Sequence, residues 1–294
     1  MDVKTVTIVG AGTMGAGIAQ VCAQAGYYTY LHDAIPAGLA RGVARIEEFW
    51  AAGIAKGKTT TAQRDAWTAN LDAKTPLRDA LAKSDLVIEA VPENMALKQD
   101  VFRDADRWAP PHAVLATNTS SLSIAQIAAA TKRPQAVVGM HFFNPVPLMK
   151  LLEIVRHDAA SDATVAAARA VGDRLGKTTI VAKDVPGFAT SRLGIVLGNE
   201  AMRMLESGVA SASDIDTAMR LGYGHPMGPL ELSDLVGLDV RLAISDYLKR
   251  ELGGSQFDSP AFARRLVERG EVGKKSGKGI YDWSTGKPME RRLS

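Results

Sequence analysis

The sequence predicts an α/β protein in which a mostly parallel sheet, covered by helices on both faces, is followed by an all-α C-terminal domain. Through the first half of the chain, short runs rich in β-branched and apolar residues alternate with helical stretches, which is typical of a parallel sheet. From residue 190 onward, apolar residues recur at helical spacing and no clear strand pattern follows. We therefore expect an N-terminal domain of residues 1–183 and a C-terminal domain of residues 184–294.

The strands of the N-terminal domain are expected in a regular order. Four are predicted at residues 6–9, 29–31, 86–90 and 114–117, and three more, beginning near Val137, Leu151 and Thr178, extend the sheet. Residues 37–79 form a long insertion within this series. Its Ala, Arg and Glu content, with breaks at Gly53 and Gly57, predicts a helical hairpin.

The proposed boundary is a segment rich in residues that interrupt regular structure. It spans residues 183–188 and includes Pro186 and Gly187, directly after the last predicted strand. Beyond it, a capping pattern from Ser213 to Asp216 predicts the start of a helix.

Composition excludes several classes of function. The 294 residues include 35 basic and 32 acidic side chains spread along the chain, so the net charge of +3 reflects no basic tract and does not indicate nucleic acid. No segment approaches the roughly 18 to 20 apolar residues of a membrane span, and we expect a cytoplasmic protein. The single Cys22 excludes an intrachain disulfide, and the five histidines show no metal-ligand spacing, so no metal is predicted.

A glycine-rich hexapeptide follows the first predicted strand and opens the first helix. It reads Gly10-Ala11-Gly12-Thr13-Met14-Gly15 and has the G-x-G-x-x-G spacing of dinucleotide-binding proteins. Gly10 suits the tight turn, Gly12 lets a pyrophosphate approach the backbone, and Gly15 allows the helix to pack against the strand. The helix N-terminus then presents N–H groups to the phosphates. The motif predicts a Rossmann-type domain that binds a dinucleotide.

Asp33 indicates which dinucleotide is bound. It follows the second predicted strand, eighteen residues after Gly15, close to the roughly twenty at which an acidic residue meets the adenosine ribose. A carboxylate there repels a 2′-phosphate, so NAD is favoured over NADP. The alternative is that Asp33 only caps a helix.

His141 and Glu153 are polar residues in two apolar strand patterns. If residues 136–140 and 151–155 form strands that fold back around the intervening segment, both residues are equally far from Pro147 and meet on one face. A histidine oriented by a carboxylate is suited to moving a proton at neutral pH. The alternative is that His141 ends a strand and Glu153 pairs with a nearby lysine such as Lys150.

Several longer motifs resemble those of the L-3-hydroxyacyl-CoA dehydrogenases, in particular the stand-alone bacterial 3-hydroxybutyryl-CoA dehydrogenases. The resemblance covers essentially the whole chain. Besides the glycine-rich turn, it rests on Glu89-Ala90-Val91-Pro92-Glu93-Asn94, Asn118-Thr119-Ser120-Ser121-Leu122, His141-Phe142-Phe143-Asn144-Pro145-Val146-Pro147, Asp184-Val185-Pro186-Gly187-Phe188, Pro226-Met227-Gly228-Pro229 and Gly273-Lys274-Lys275.

The resemblance implies NAD-dependent interconversion of a 3-hydroxyacyl-CoA and a 3-ketoacyl-CoA, with roles for individual residues. His141 matches the proton acceptor, Glu153 the residue that orients it, and Ser120 the serine that touches the reacting oxygen. The positions around the cofactor or site are Glu93, Lys98, Asn118, Asn144 and Lys275. Asn144 and Ser120 are also substrate-side positions, and a homodimer formed through the C-terminal helices is expected.

Two further positions carry open alternatives. Lys56, in the predicted helical hairpin, matches a lysine that contacts coenzyme A, but it can equally be a solvated surface lysine. Ser191 stands where the family often has a substrate-contacting asparagine, so its expected place in the site has an uncertain role. A related dehydrogenase of a non-CoA hydroxy or sugar acid, or a non-catalytic NAD-binding sensor, would also carry parts of this pattern.

Overall fold

The computed structural model describes residues 2–291 and divides them into two compact units, one ending at Val185 and the other beginning at Pro186. We refer to them as the N-terminal unit and the C-terminal unit. The predicted fold class is confirmed, because the N-terminal unit is a sheet with helices and the C-terminal unit is helical.

The N-terminal unit contains one sheet of eight strands in the order β3-β2-β1-β4-β5-β6-β7-β8. The strands are β1 (Thr5–Val9), β2 (Tyr28–His32), β3 (Leu71–Asp72), β4 (Leu86–Glu89), β5 (Val114–Thr117), β6 (Val137–Phe142), β7 (Leu151–Arg156) and β8 (Thr178–Lys183). Neighbouring strands are parallel, except that β6 and β7 are antiparallel. β3 was not predicted, because two residues are too short to show a strand pattern.

Seven helices accompany the sheet in the described part of the N-terminal unit. They are α1 (Thr13–Gln24), α2 (Pro36–Ala55), α3 (Thr61–Ala69), α4 (Leu77–Leu81), α5 (Met95–Trp108), α6 (Ile124–Ala128) and α7 (Asp162–Arg174). A 3₁₀ turn covers Pro134–Ala136.

The predicted helical hairpin is formed by α2 and α3. Gly57 makes the turn between them with a φ of +65°, a value that favours glycine. The prediction of a break at Gly53 is wrong, because this residue lies inside α2, where the helix continues to Ala55. Trp50 of α2 is buried and its ring lies 5.8 Å from that of Trp67 of α3, which packs the two helices together.

Cys22 lies in the core of the N-terminal unit, on the buried face of α1. Burial raises the pKa of its thiol to about 12, with a smaller opposing effect from Lys177. The thiol is therefore protonated and inert at neutral pH, which fits a packing role for this residue.

Five helices form the C-terminal unit as far as it is described. They are α8 (Thr190–Glu206), α9 (Ala212–Gly222), α10 (Pro229–Val236), α11 (Leu238–Leu252) and α12 (Ala261–Glu268), with 3₁₀ turns at Ser255–Phe257 and Lys274–Ser276. The predicted cap at Ser213 is wrong by two residues: Ser211 is the N-cap of α9 and accepts a hydrogen bond from the Asp214 amide, and Ser213 lies inside the helix.

Two buried aspartates organise the C-terminal unit. Asp216 of α9 accepts hydrogen bonds from the amides of Leu230 and Glu231 and therefore caps α10. Asp234 of α10 accepts hydrogen bonds from the amide of Tyr281 and the indole of Trp283, which ties the C-terminal segment to this helix. Burial raises the pKa of Asp234, although these hydrogen bonds act in the opposite direction.

No helix within residues 2–291 is both long and apolar enough to cross a membrane. In the same span, His, Cys, Asp and Glu side chains nowhere form a group of three that could hold a metal ion.

Candidate active site

The antiparallel pairing of β6 and β7 brings His141 and Glu153 together. The two residues occupy directly opposite positions in the register, where side chains lie on the same face of the sheet. His141 Nδ1 lies 2.9 Å from Glu153 Oε2, and both side chains are buried. The predicted pairing of these two residues is thus confirmed.

This hydrogen bond determines which imidazole nitrogen carries the proton. An ionised carboxylate can only accept hydrogen bonds, so with Glu153 ionised, Nδ1 of His141 would be the donor and the basic lone pair of the ring would be on Nε2. The carboxylate also stabilises the positive charge that forms when Nε2 takes up a proton. The Phe143 ring, 4.5 Å from the imidazole between ring centres, packs against it. This is the arrangement that a general base acting through Nε2 requires.

Asn118 connects the ends of two neighbouring strands at the same edge of the sheet. It follows β5 directly, and its side-chain oxygen accepts a hydrogen bond of 2.9 Å from the amide of Phe142, the residue after His141. Its own amide donates to the carbonyl of Glu89 at the end of β4. The structure thus gives Asn118 contacts that align the residue next to His141.

Ser120 lies in the turn after β5, and Glu93 holds this turn. Oε1 of Glu93 accepts hydrogen bonds from the Ser120 amide at 3.1 Å, from the Ser121 hydroxyl at 3.2 Å, and from the Thr119 hydroxyl. Because the carboxyl ends of parallel strands share one edge of a sheet, the turn lies at the same edge as His141.

Lys98 forms a buried ion pair with Glu89 that the sequence analysis did not predict, and its ammonium also contacts Glu93. Lys98 of α5 is fully buried and its Nζ lies 2.8 Å from Glu89 Oε1 and 3.3 Å from Glu93 Oε2. Glu89 also accepts hydrogen bonds from the Val91 amide and the Thr117 hydroxyl. Burial raises the pKa of Glu89, and Lys98 opposes this effect. The sequence did contain an indication of this ion pair, because Glu89 is a charged residue at the end of an otherwise apolar strand.

The glycine-rich turn has the shape that a dinucleotide requires. Gly10 has a φ of +103°, and a side chain there would lie 2.7 Å from the Ala90 carbonyl oxygen. A Cβ on Gly15 would lie only 1.7 Å from the Gly10 carbonyl oxygen. Gly12 instead faces open space as the N-cap of α1, and no side chain caps this helix end. The residues therefore fit a pyrophosphate bound by the N–H groups of Thr13, Met14 and Gly15.

Asp33 lies beside the same turn. Its Oδ2 accepts a hydrogen bond of 2.8 Å from the Ala11 amide, and its Oδ1 accepts one from the Ile35 amide. Ile35, not Asp33, is the N-cap of α2, and that position has no side-chain cap. Asp33 is therefore not the N-cap of α2, although it accepts a hydrogen bond from the amide of that N-cap residue. Its role at the adenosine ribose stays a prediction.

Four predicted site residues lie outside the strands and turns that hold the residues described above. Asn144 lies in the loop between β6 and β7, before a cis peptide bond to Pro145. Lys56 is the exposed C-cap of α2. Ser191 lies in the first turn of α8, and Lys275 lies in a 3₁₀ turn where its Nζ is 2.7 Å from Asp239. The last two residues belong to the C-terminal unit, and the roles of all four stay predictions.

The fold and site together define an NAD-dependent dehydrogenase. The family profile described as "3-hydroxyacyl-CoA dehydrogenase, NAD binding domain" matches residues 5–185, and the one described as "3-hydroxyacyl-CoA dehydrogenase, C-terminal domain" matches residues 187–283. The chain therefore belongs to the 3-hydroxyacyl-CoA dehydrogenase family, as its motifs led us to expect.

Relatives within this family are similar over nearly their whole length. A probable 3-hydroxybutyryl-CoA dehydrogenase of Bacillus subtilis is 43% identical, with 96% of this chain and 98% of the relative covered. The crystal structure of FadB2 from M. tuberculosis has a TM-score of 0.92 at 42% identity, with coverage of 96% and 99%. (S)-3-hydroxybutyryl-CoA dehydrogenase PaaH1 from Ralstonia eutropha has a TM-score of 0.91 at 40% identity, again with coverage of 96% and 99%.

We predict that replacing Lys98 by Met lowers the free energy of unfolding by about 3–5 kcal/mol, because it leaves the buried Glu89 carboxylate without its counter-ion. The double variant Glu89→Gln with Lys98→Met is expected to recover most of this loss, since no buried charge then remains. Urea denaturation measures the free energy of unfolding of the single and the double variant. Lys132→Met, at an exposed lysine, is the control. Equal losses in the single and double variants would show that the charge pairing is not the source.

Proposed function

We propose that this protein oxidises (S)-3-hydroxyacyl-CoA to 3-ketoacyl-CoA with NAD and catalyses the reverse reduction, with 3-hydroxybutyryl-CoA as the favoured substrate. The observation that carries the proposal is the buried hydrogen bond between His141 and Glu153. Such a pair supplies the general base that oxidation of an alcohol needs. The names of the relatives support the substrate class, since those from Bacillus subtilis and Ralstonia eutropha are named for 3-hydroxybutyryl-CoA.

The proposed mechanism assigns one task to each side chain around the reacting carbon. Nε2 of His141 takes the proton of the substrate hydroxyl, and Glu153 stabilises the resulting imidazolium. The Ser120 hydroxyl donates a hydrogen bond to the substrate oxygen as charge develops on it. NAD held at the glycine-rich turn would supply the acceptor for the hydride of the carbinol carbon. Because oxidation releases a proton, higher pH favours the ketone and lower pH favours the alcohol.

The proposed NAD site begins at the glycine-rich turn. Backbone N–H groups at the start of α1 hold the pyrophosphate, and Asp33 accepts hydrogen bonds from the adenosine ribose hydroxyls and disfavours NADP. The side chains proposed around the nicotinamide half are Glu93, Lys98, Asn118, Ser120, Asn144 and Lys275. The contacts of Glu93 with the turn that carries Ser120 support this part of the proposal.

For the acyl-CoA, the proposed contacts are Ser120 and Asn144 near the reacting carbon and Lys56 for coenzyme A. Lys56 suits this task because it is exposed at the end of α2 and its ammonium can meet a phosphate. Ser191 is proposed to contact the thioester through its hydroxyl, which is shorter than the asparagine side chain often found in the family.

A homodimer formed by the C-terminal unit and a cytoplasmic location complete the proposal. Large apolar side chains are exposed on several helices of this unit, among them Leu193, which is 71% exposed on α8, and Leu221, which is 83% exposed at the end of α9. Exposed apolar side chains of this size favour burial against a partner.

A comparison of thioester and free acid tests the proposed substrate class. We expect the protein to consume NADH rapidly with acetoacetyl-CoA and slowly or not at all with free acetoacetate, because only the thioester offers the coenzyme A contacts. Oxidation of NADH followed at its absorbance maximum measures both rates. Equal rates for the two compounds would favour the alternative, a dehydrogenase of a non-CoA hydroxy acid.

Substitution of the paired residues tests the mechanism. His141→Ala is expected to lower kcat by about a hundredfold to ten-thousandfold, since general-base catalysis typically contributes this much. Glu153→Gln keeps a hydrogen-bonding group but removes the charge, so a smaller fall in kcat is expected. NADH affinity, measured by fluorescence titration, should be unchanged in both. The exposed His112→Ala is the control, and a His141→Ala variant with nearly full activity would contradict the assignment.

A further inference from the structure

The loop between β6 and β7 connects the two residues of the proposed proton-transfer pair. It spans residues 143–150 and contains Asn144. The amides of Leu148 and Met149 both donate to the Pro145 carbonyl, so the loop has an internal turn. While the Leu148 side chain is exposed, that of Val146 is buried. The position of this loop therefore depends on the contacts that Val146 makes.

Lys177 holds the loop from one side. Its Nζ donates hydrogen bonds of 2.6 Å to the Val146 carbonyl and 2.7 Å to the Met149 carbonyl. The lysine immediately precedes β8, whose first residue, Thr178, donates its amide to the Lys150 carbonyl. Lys177 and Thr178 thus fix the middle and the end of the loop.

The environment of Lys177 is costly for a cation. The side chain is buried, no ion pair of Lys177 occurs within residues 2–291, and burial lowers its pKa. A buried ammonium is tolerated only when its N–H groups are hydrogen-bonded, and here two loop carbonyls accept them. The contacts with the loop therefore account for the presence of a lysine at this position.

Helix α1 meets the loop from the other side. A Cβ on Gly17 would lie 2.9 Å from the Val146 Cβ, so the valine packs directly on the helix where the glycine leaves room. α1 is the helix that begins at the glycine-rich turn. Val146 is thus held between the dinucleotide-binding helix and the Lys177 ammonium.

We infer that Lys177 is a positioning residue for the reaction, and that Gly17 is its counterpart on α1. Together they fix the 143–150 loop, and through it Asn144 and the hairpin that carries His141 and Glu153, relative to the helix at which NAD binds. The inference rests on the proposed function, because its effect on turnover presupposes that the hairpin is catalytic. Lys177 acts through the loop backbone, whose carbonyls accept its hydrogen bonds.

The test replaces Lys177 by Met, which keeps the length of the side chain but removes its N–H donors. We expect kcat with acetoacetyl-CoA and NADH to fall by about tenfold to a hundredfold, the range that a small misplacement of reacting groups costs. NADH affinity should be unchanged, because the glycine-rich turn is intact. Lys177→Arg retains N–H donors and should restore most of kcat. Lys74→Met, at an exposed lysine, is the matched control.

A second variant tests the other side of the loop. Gly17→Ala places a methyl group against Val146 and should lower kcat in the same direction. Gly222→Ala, where a Cβ meets no other atom within 4 Å, is its control. If Lys177→Met does not fold, Gly17→Ala decides the question by itself. Wild-type kcat in Gly17→Ala and in any folded Lys177→Met variant would overturn the inference.

Hydrogen exchange separates this inference from the proposed function. Lys177→Met, or Gly17→Ala if the former does not fold, should accelerate amide exchange in peptides covering residues 143–150, whether or not the protein acts on acyl-CoA. If the wild-type protein turns over no acyl-CoA, the proposed function fails. Exchange in the loop then decides whether Lys177 and Gly17 fix it, and unchanged exchange overturns the inference.

Discussion

The structure of the site depends on one hydrogen bond, between His141 and Glu153, and on the antiparallel pairing of β6 and β7 that makes it possible. Every other neighbouring pair in the sheet is parallel. A parallel pair needs a long crossover connection, whereas β6 and β7 are joined by a short loop. The antiparallel register therefore brings two residues that are twelve positions apart into contact, on one face and out of water.

The other polar residues at this edge of the sheet are also buried and hydrogen-bonded. Glu89, Asn118 and His141 each lie at the end of a buried strand or one residue from it, and each has hydrogen-bond partners that offset the cost of its burial. Lys177 lies just before β8, and its buried ammonium is likewise hydrogen-bonded, in this case to two loop carbonyls. The polar groups form connected networks, which rigidify their surroundings.

Much of this arrangement could be predicted from the sequence, because its causes are local or periodic. The glycine-rich turn, the alternation of strands and helices, and the equal spacing of His141 and Glu153 about Pro147 all appear in the sequence. What could not be predicted depends on tertiary contacts: β3 is too short to have a pattern, and Gly53 continues a helix that the neighbouring packing of Trp50 stabilises. The partners of Lys177 likewise become neighbours only in the folded sheet.

The central claim is that Glu153 holds His141 in the tautomer that leaves Nε2 ready to accept a proton. ¹⁵N NMR of the protein labelled at the imidazole nitrogens tests it most directly, because the chemical shifts distinguish protonated from unprotonated ring nitrogens. At a pH where the ring is neutral, a protonated Nδ1 and an unprotonated Nε2 are expected for His141, and Glu153→Gln should weaken this preference. A wild-type ring protonated at Nε2 instead would contradict the account.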